Sequence, residues 1–400
     1  MSEWKECALD EIAYIIPGYA FKSKHFGNEG MPVVKITDIN PPYINVRDAM
    51  RVDLSHYDVG KLSKYKIKEN DFVIAMTGAT IGKIGRLTID TIAIVNQRVA
   101  KILPKESAVR EFVYYCIQGD NFQGFIQNNV DSQSAQENIS GTSIGRYPVL
   151  LPSQPEQKAI ASVLSSLDDK IDLLHCQNKT LEAMAETLFR QWFVEEAQED
   201  WEEGVLHDVI SVKGGTTPST KKSDYWDGDI YWTSPRDLSN HTSVFIYDTK
   251  RKITERGLAK IGSGLLPIGT VLLSSRAPIG YLAITEIPLA INQGYIAIVC
   301  DKIVSNYFIY LWCKANMEGI KNSGNGSVFQ EIAKSVFKKI SITIPPQSLL
   351  DNFGKTVSPF FNKIKTNQQQ IRTLEKLRDT LLPKLMSGEV RVQYDKEATL

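Results

Sequence analysis

Asn40-Pro41-Pro42-Tyr43 matches the tetrapeptide with which amino-methyltransferases hold the amino group that receives a methyl group. Such enzymes also have a domain for S-adenosylmethionine, with a glycine-rich turn after its first strand, and only 39 residues precede Asn40. A turn that contains two prolines accounts for the same four residues. We therefore predict a turn here, and a standalone DNA adenine methyltransferase remains the alternative.

Other patterns that could do chemistry are incomplete. Residues 78–83 are similar to a phosphate-binding loop, but one residue is missing between the glycines, and Ile84 stands where Ser or Thr would bind magnesium. The five histidines show no zinc or triad spacing, and the five cysteines show no paired spacing, which indicates reduced thiols. We predict no catalytic residue and no metal site.

Polar residues that follow predicted strands have side chains suited to DNA bases. Arg236 and Arg276 could each donate two hydrogen bonds to a guanine. An Asn-Gln pair suits adenine and occurs at 96–97 and 292–293, although such a pair after a strand is as often a structural turn. Because the formal net charge is zero, a nucleic-acid partner would need a local basic face.

The elements that carry these residues occur twice. Gly215 repeats Gly18 after 197 residues, and Asn292 repeats Asn96 after 196 residues, which indicates a domain duplication. The loops between such fixed points differ, as at 76–80 and 274–278. Because recognition varies in loops on a shared scaffold, the two halves should bind related but distinct ligands.

Apolar runs in the first half predict its local elements. We expect strands at 32–36, 71–76 and 92–95, a helix at 109–118, and a buried strand at 147–152. The polar segment 130–142 predicts a surface loop with a short helix.

Two long helices are predicted from apolar residues at heptad spacing. The first stripe consists of Ile160, Leu164, Leu167, Ile171, Leu174, Asn178, Leu181, Ala185, Leu188 and Trp192. The second stripe, 193 residues later, consists of Phe353, Val357, Phe360, Ile364, Asn367, Ile371, Leu374, Arg378, Leu381 and Leu385.

The two asparagines predict the direction of the helix pair. A parallel pair would place Asn178 and Asn367 against apolar residues, at a cost of about 1–3 kcal/mol for each unsatisfied amide. An antiparallel pair lets Asn178 face Asn367, which would fix the register, and it places Trp192 opposite Phe353. It also sets Leu167 against Arg378, whose charged end can reach solvent. The alternative is that each helix packs only on its own domain.

The length and hydropathy of the chain are typical of a globular protein. Four hundred residues predict about two or three domains. No apolar run is long enough to span a membrane, and residues 1–5 show no signal-peptide pattern, so we expect a cytoplasmic protein.

These features together resemble the specificity subunit of a type I restriction–modification system. The residues that carry the resemblance are at 150–160, 188–193, 214–219, 232–237 and 377–388. The resemblance implies an α+β fold in which two pseudo-repeated mixed α/β target recognition domains are joined by two long helices in an antiparallel coiled coil. The implied boundaries are 1–153 (domain 1), 154–197 (spacer helix 1), 198–346 (domain 2), 347–388 (spacer helix 2) and 389–400 (C-terminal tail).

The resemblance also implies a function in host defence. Such a subunit reads an asymmetric, bipartite double-stranded DNA target with one domain per half-site, and the helices space the half-sites about one helical turn apart. It docks two methyltransferase subunits, and restriction subunits join the full complex. It has no activity or cofactor of its own, since S-adenosylmethionine, ATP and Mg belong to the partners. A DNA-binding scaffold without modification partners is a further alternative.

Residue roles follow from the resemblance and the loop positions. The predicted DNA contacts are Lys22, Lys24, Lys35, Thr37, Thr77, Thr80, Lys83, Asn96, Gln97, Arg98, Thr217, Ser219, Thr233, Arg236, Ser275, Arg276, Asn292 and Gln293. The predicted partner-docking residues are Phe189, Trp192, Phe193, Leu382 and Met386.

Overall fold

The computed structural model describes residues 4–131, 137–239, 243–276, 278–324 and 330–393. The chain forms two compact units: unit 1 is Met1–Ile171 with Thr373–Leu400, and unit 2 is Asp172–Arg372. The predicted loop 130–142 and the predicted tail 389–400 lie partly outside the described residues.

Unit 1 is built on mixed sheets. Its strands are β1 (Lys5–Ala8), β2 (Ala13–Pro17), β3 (Phe26–Gly27), β4 (Met31–Val34), β5 (Ile39–Asn40), β6 (Tyr43–Ile44), β7 (Arg51–Val52), β8 (Lys66–Ile67), β9 (Phe72–Ala75), β10 (Ile84–Arg86), β11 (Ala93–Val95), β12 (Val99–Pro104) and β13 (Pro148–Leu151). The described strands form sheets of order β2-β12-β9-β10-β6-β5, β3-β7-β4-β11-β8 and β1-β13.

Four short helices, α1 (Leu9–Ile12), α3 (Arg110–Cys116), α4 (Asp120–Asn128) and α5 (Gly141–Gly145), cover one face of the six-stranded sheet of unit 1. Helix α2 (Val59–Leu62) packs through Leu62 on the five-stranded sheet. Every residue of β9 is buried, because Phe72 and Ile74 pack with the helices while Val73 and Ala75 pack with the second sheet. The continuous apolar run at 71–76 is typical of such a two-sided strand.

Two long helices, α6 (Gln154–Arg190) and α13 (Gln347–Met386), contribute to both units. Unit 2 also contains α7 (Leu206–Val209), α8 (Pro235–Leu238), α9 (Glu255–Leu258), α10 (Asn306–Ala315), α11 (Met317–Asn322) and α12 (Lys334–Phe337).

Unit 2 repeats the plan of unit 1. Its strands are β14 (Glu202–Val205), β15 (Ser211–Gly214), β16 (Trp226–Thr233), β17 (Phe245–Ile246), β18 (Arg251–Ile253), β19 (Val271–Ser275), β20 (Ile279–Thr285), β21 (Ala290–Ile291), β22 (Tyr295–Val299) and β23 (Ser341–Ile344). The described strands form sheets of order β15-β22-β19-β20-β17, β18-β16-β21 and β14-β23. The predicted α+β fold with a duplicated domain and two long helices is confirmed.

The position of one strand was predicted correctly, but its burial was predicted wrongly. Strand β13 lies where predicted, but it pairs only with β1 in a two-stranded sheet. Its side chains alternate between exposed Pro148, buried Val149 and exposed Leu150. The apolar run at 147–152 suggested burial on both faces, whereas the second face of this small sheet is open.

Helices α6 and α13 are antiparallel in each unit. In unit 1, Ile160 and Leu164 share a buried cluster with Leu385. In unit 2, the rings of Trp192 and Phe353 lie 5.7 Å apart. Residue numbers rise along one helix as they fall along the other, as expected from the two stripes.

The asparagine pair lies in unit 2. Asn367 is fully buried, and its Nδ2 donates to Asn178 Oδ1 over 2.9 Å. The oxygen of Asn367 has no hydrogen-bond partner among the described residues, so the two amides do not satisfy each other completely.

The stripes are wider than a coiled-coil seam. Phe361 is fully buried and stacks on Tyr307 at 4.3 Å, whereas the predicted stripe residue Phe360 is only half-buried. The helices therefore pack on each other and on their own units, which combines the two arrangements considered from the sequence.

Candidate nucleic-acid interface

A close backbone approach at a glycine helps to form the same surface in both units. We call this surface the edge: it comprises the segments around residues 18, 77, 98 and 138 in unit 1, and those around residues 215, 276, 293 and 331 in unit 2. In unit 1, the N–H of Tyr19 donates to Val95 O over 2.9 Å, next to Gly18. In unit 2, the N–H of Thr216 donates to Ile291 O over 3.1 Å, next to Gly215. A Cβ atom at either glycine would overlap these carbonyl groups, so only glycine fits.

In unit 1, this edge gathers the end of β9 and the start of β12. The N–H of Met76 donates to Arg98 O over 2.9 Å, and the N–H of Ile139 donates to Met76 O over 3.0 Å. The hydroxyl of Thr77 donates to Asn138 Oδ1 over 3.3 Å. The segments around residues 77, 98 and 138 thus lie side by side.

Unit 2 has the same arrangement at the end of β19. The N–H of Ser275 donates to Gly294 O over 2.8 Å, and the N–H of Ile332 donates to Ser275 O over 3.0 Å. Arg276 Nη1 lies 3.5 Å from Glu331 Oε2. The hydroxyl of Thr217 donates to Gln293 Oε1 over 2.7 Å. Arg276, Thr217 and Gln293 therefore lie on neighbouring segments of this edge.

Three of the predicted DNA contacts are part of the framework instead. Thr77, Thr233 and Ser275 are 8%, 0% and 3% exposed. The hydroxyl of Thr233 donates to Asp237 Oδ2 over 2.9 Å, inside the unit. Their side chains are inaccessible to DNA, so this part of the prediction was wrong. These residues lie at the ends of buried strands. There, a polar residue can either contact a ligand from a loop or form hydrogen bonds inside the unit, and the sequence alone does not distinguish the two.

The remaining edge residues are accessible. Lys83, Gln97 and Arg98 are exposed in unit 1, and Gln293 is exposed in unit 2. Thr80, Asn96, Thr217, Arg276 and Asn292 are half-buried. Two of these brace the backbone: Thr80 Oγ1 donates to Thr77 O over 3.2 Å, and Asn292 Oδ1 accepts from Gly294 N over 2.8 Å. Their role as DNA contacts stays a prediction.

Other predicted contacts lie outside these edges. Lys22 and Lys24 are exposed beside β3, and Thr37 is exposed after β4. Lys35 Nζ lies 4.1 Å from the centre of the Phe26 ring and is half-buried. In unit 2, Arg236 in α8 and Ser219 are exposed. The described hydrogen bonds and ion pairs do not join these residues to the edge.

Asn138 and Glu331 were missed as site residues. They occupy equivalent places, 193 residues apart, and each precedes an isoleucine whose N–H closes the edge. The repeat offset of 193 residues, already evident in the long helices, could have identified the pair. The polar composition around Asn138 predicts a surface loop with a short helix and does not single out Asn138.

The tetrapeptide that begins at Asn40 forms the predicted turn. Asn40 and Tyr43 pair with each other across the hairpin β5–β6, and both side chains are exposed. The hairpin lies at the edge of a mixed sheet. The amino-methyltransferase alternative therefore gains no support from its surroundings.

No metal-binding group stands out in the part of the chain that the structure describes. No cluster of three or more His, Cys, Asp or Glu side chains there has the geometry to hold a metal ion. All five cysteines are unpaired, as expected. Among the same residues, no helix combines the length and the apolar character needed to cross a membrane.

The predicted docking residues fall into two groups. Phe189 is 3% exposed and packs 5.3 Å from Phe308, so it belongs to the core of unit 2 and was wrongly assigned to an outward face. Trp192 and Phe193 are half-buried in the same aromatic cluster. In unit 1, Leu382 and Met386 line a groove of about 540 Å³, although Leu382 is itself 8% exposed.

Comparisons with known proteins agree with this architecture. The family model of the type I restriction modification DNA specificity domain matches residues 1–183 and 198–376. The chain is 38% identical over 194 residues to the type I restriction enzyme MjaIX specificity subunit of Methanocaldococcus jannaschii, across 48% of this chain and 45% of that protein. It is 23% identical to the type I restriction enzyme HindI specificity subunit of Haemophilus influenzae, across 98% of this chain and 100% of that protein.

A solved structure shows the same fold. The type I restriction–modification system S subunit from M. genitalium matches with a TM-score of 0.57 at 17% identity, over 96% of each chain. The family model covers parts of both units and most of the chain. This chain therefore belongs to the family of type I restriction–modification specificity subunits.

Proposed function

We propose that this chain reads a bipartite, asymmetric double-stranded DNA target, with unit 1 and unit 2 each binding one half-site. The supporting observation is that one backbone frame presents different side chains in the two units. Thr77 and Asn138 lie in unit 1 where Arg276 and Glu331 lie in unit 2. Because base edges are distinguished by their donors and acceptors, the exposed amide of Asn138 in unit 1 and the Arg276–Glu331 pair in unit 2 would select different bases.

The modification chemistry belongs to partners in this proposal. Two methyltransferase subunits dock on the chain, and restriction subunits complete the complex. S-adenosylmethionine, ATP and Mg bind to those subunits, and this chain supplies DNA sequence recognition alone. The groove lined by Leu382 and Met386, whose lining is part apolar and part polar, supports one docking site, since apolar surface with a polar rim is common at protein interfaces.

A domain exchange tests the reading of half-sites. Residues 1–150 are replaced by the corresponding domain of another family member, and methylated positions are mapped in DNA from cells that carry the system. We expect one half of the methylated site to change. The matched exchange of residues 198–346 should change the other half only. If either exchange alters both halves or neither, the proposal fails.

Two measurements separate the alternatives. The purified chain should not bind S-adenosylmethionine in equilibrium dialysis, whereas a standalone methyltransferase would bind it. A tagged chain should retain a methyltransferase subunit from its own cells, whereas a scaffold without modification partners would not. The variant Met386→Glu, which places a charge in the groove, should weaken that retention, with Val390→Glu as an exposed apolar control outside the groove.

A further inference from the structure

We infer that Arg276 and Glu331 together read one guanine–cytosine base pair in the half-site bound by unit 2. This inference rests on the proposed function and names the base pair and the residues that select it. Arg276 is the contact to guanine. Glu331 both positions the arginine and contacts the cytosine.

The pair is restrained and still accessible. Arg276 Nη1 lies 3.5 Å from Glu331 Oε2, and the two side chains are 37% and 50% exposed. Their backbones form a β-bridge, and the neighbouring Ile332 donates its N–H to Ser275 O over 3.0 Å. The rotation of a long arginine side chain is thereby limited before DNA arrives, which lowers the entropy cost of binding.

The chemistry of the pair matches one base pair in the major groove. A guanidinium can donate two parallel hydrogen bonds to O6 and N7 of guanine, and a carboxylate can accept from the N4 amino group of cytosine. Arg276 contacts Glu331 through Nη1, so further N–H groups of the guanidinium remain for guanine. A guanine–cytosine pair presents both complements side by side.

A role in phosphate binding fits the pair less well. A carboxylate beside a phosphate-binding arginine would repel the DNA backbone, and it would neutralise the charge that attracts phosphate. A carboxylate beside a base-reading arginine has a complement of its own. Glu331 therefore favours a base contact for Arg276.

The equivalent residues of unit 1 differ, so the guanine preference should affect only one half-site. At the equivalent place, Thr77 donates to Asn138 Oδ1 over 3.3 Å, and neither side chain is charged. That pair cannot supply the arginine fork or a carboxylate acceptor. The guanine preference should thus belong to the half-site of unit 2 alone.

The test measures base selection by the full-length chain. The wild-type chain and Arg276→Lys are each incubated with a duplex library randomised in both half-sites, and the bound DNA is sequenced. Lysine keeps the charge but loses the two-bond fork. The preference at one guanine–cytosine position should fall on the order of 10-fold, while the other half-site keeps its preferences. Arg256→Lys is the matched control, because Arg256 in α9 also pairs with a carboxylate, Asp224, at 3.6 Å.

Glu331→Gln separates positioning from simple charge neutralisation. Removing one negative charge should raise affinity for all duplexes. If Glu331 also positions Arg276 and accepts from cytosine, preference at the same base pair should fall several-fold in the same variant. A rise in general affinity with unchanged base preference would overturn the role of Glu331.

The remaining outcomes separate the two proposals. If the wild-type chain selects a bipartite site and Arg276→Lys selects the identical site, the inference fails and the proposed function stands. A change in both half-sites would also overturn the inference, because it would indicate a global effect. If the wild-type chain shows no base preference in either half, the proposed function fails.

Discussion

The two units build the same edge from backbone and finish it with different side chains. Gly18 and Gly215 make equivalent close approaches, and the N–H groups of Ile139 and Ile332 close the edge in equivalent ways. Apart from the repeated Asn-Gln pair, side chains on that frame differ, as Thr77 and Arg276 do. Since backbone hydrogen bonds are available to any sequence, the frame tolerates changes in the residues it presents. Duplication of such a frame allows two specificities to evolve in one chain.

The units also differ at the other end of β9 and β19, before each strand begins, where the buried contacts are ionic in unit 1 and neutral in unit 2. In unit 1, buried Asp71 accepts from Lys101 Nζ over 2.8 Å and from Arg110 Nη1 over 2.6 Å. In unit 2, the residue before the equivalent strand is Thr270, whose hydroxyl donates to Pro267 O over 2.7 Å. Burial raises the pKa of Asp71, but the hydrogen bonds from Lys101 and Arg110 outweigh burial and hold it below its ordinary value.

The largest effect is expected when the ionic group is broken. Asp71→Asn leaves Lys101 and Arg110 without their buried counter-charge, so unit 1 should lose about 3–5 kcal/mol of stability. Hydrogen exchange measured by mass spectrometry should show faster exchange in peptides of unit 1 and unchanged exchange in unit 2. The control Thr270→Val should cost unit 2 only about 1 kcal/mol, because a neutral hydrogen bond is lost. Equal costs in the two units would remove the distinction between ionic and neutral bracing.

A second comparison concerns the polar contacts between α6 and α13, which are an asparagine pair in unit 2 and an ion pair in unit 1. In unit 2, Asn178→Leu removes the closer of two acceptors of the buried Asn367 amide, leaves Gln177 Oε1 at 3.4 Å, and should cost about 1–3 kcal/mol. Asn367→Leu should be near neutral, since it also removes a buried oxygen without a partner among the described residues. The double variant should recover most of the loss, as measured by chemical denaturation. A larger loss in the double variant would mean that the amides stabilise the pair by more than their mutual hydrogen bond.

Much of the architecture was predictable because it is periodic. The antiparallel direction followed from the alignment of Asn178 with Asn367, and the repeat offsets followed from the glycines and the Asn-Gln pairs. The site was less predictable. The sequence could not show that Thr233 is buried while Arg276 is accessible, since both are polar residues after apolar strands.

Two other misses have a physical cause in packing partners. Phe361 is buried more deeply than Phe360 because unit 2 offers Tyr307 to stack on, and a heptad pattern registers only the partner helix. Asn138 and Glu331 are distant in sequence from Thr77 and Arg276. Their proximity depends on how the chain returns to the edge.

A smaller effect is expected where the helices meet in unit 1. Arg378 Nη1 donates to Asp168 Oδ1 over 2.9 Å, which resolves the predicted mismatch of Arg378 with Leu167. Burial and the Asp168 carboxylate raise the pKa of Tyr115, whose hydroxyl donates to Asp168 Oδ2 over 2.7 Å. Arg378→Met keeps the apolar stem and should cost about 1 kcal/mol or less, because the pair is partly exposed and Asp168 keeps Tyr115. A loss as large as that of Asp71→Asn, again measured by hydrogen exchange, would show that this pair is a main brace of unit 1.

The smallest effect at ordinary conditions is a pH dependence confined to unit 1. Because the pKa of Asp71 is lowered on folding, its stabilisation is present in full above its unfolded pKa, about 3.9, and is lost as pH falls through the folded value. One such group changes stability by at most about 1.4 kcal/mol per pH unit. Hydrogen exchange corrected for intrinsic rates should therefore show unit 1 weakening as pH falls below 4. Asp71→Asn should flatten that additional slope in unit 1, and it should leave unit 2 unchanged. The same slope in wild type and variant would mean that other carboxylates govern the acid response of unit 1, and the contrast between ionic and neutral bracing would have no consequence for pH.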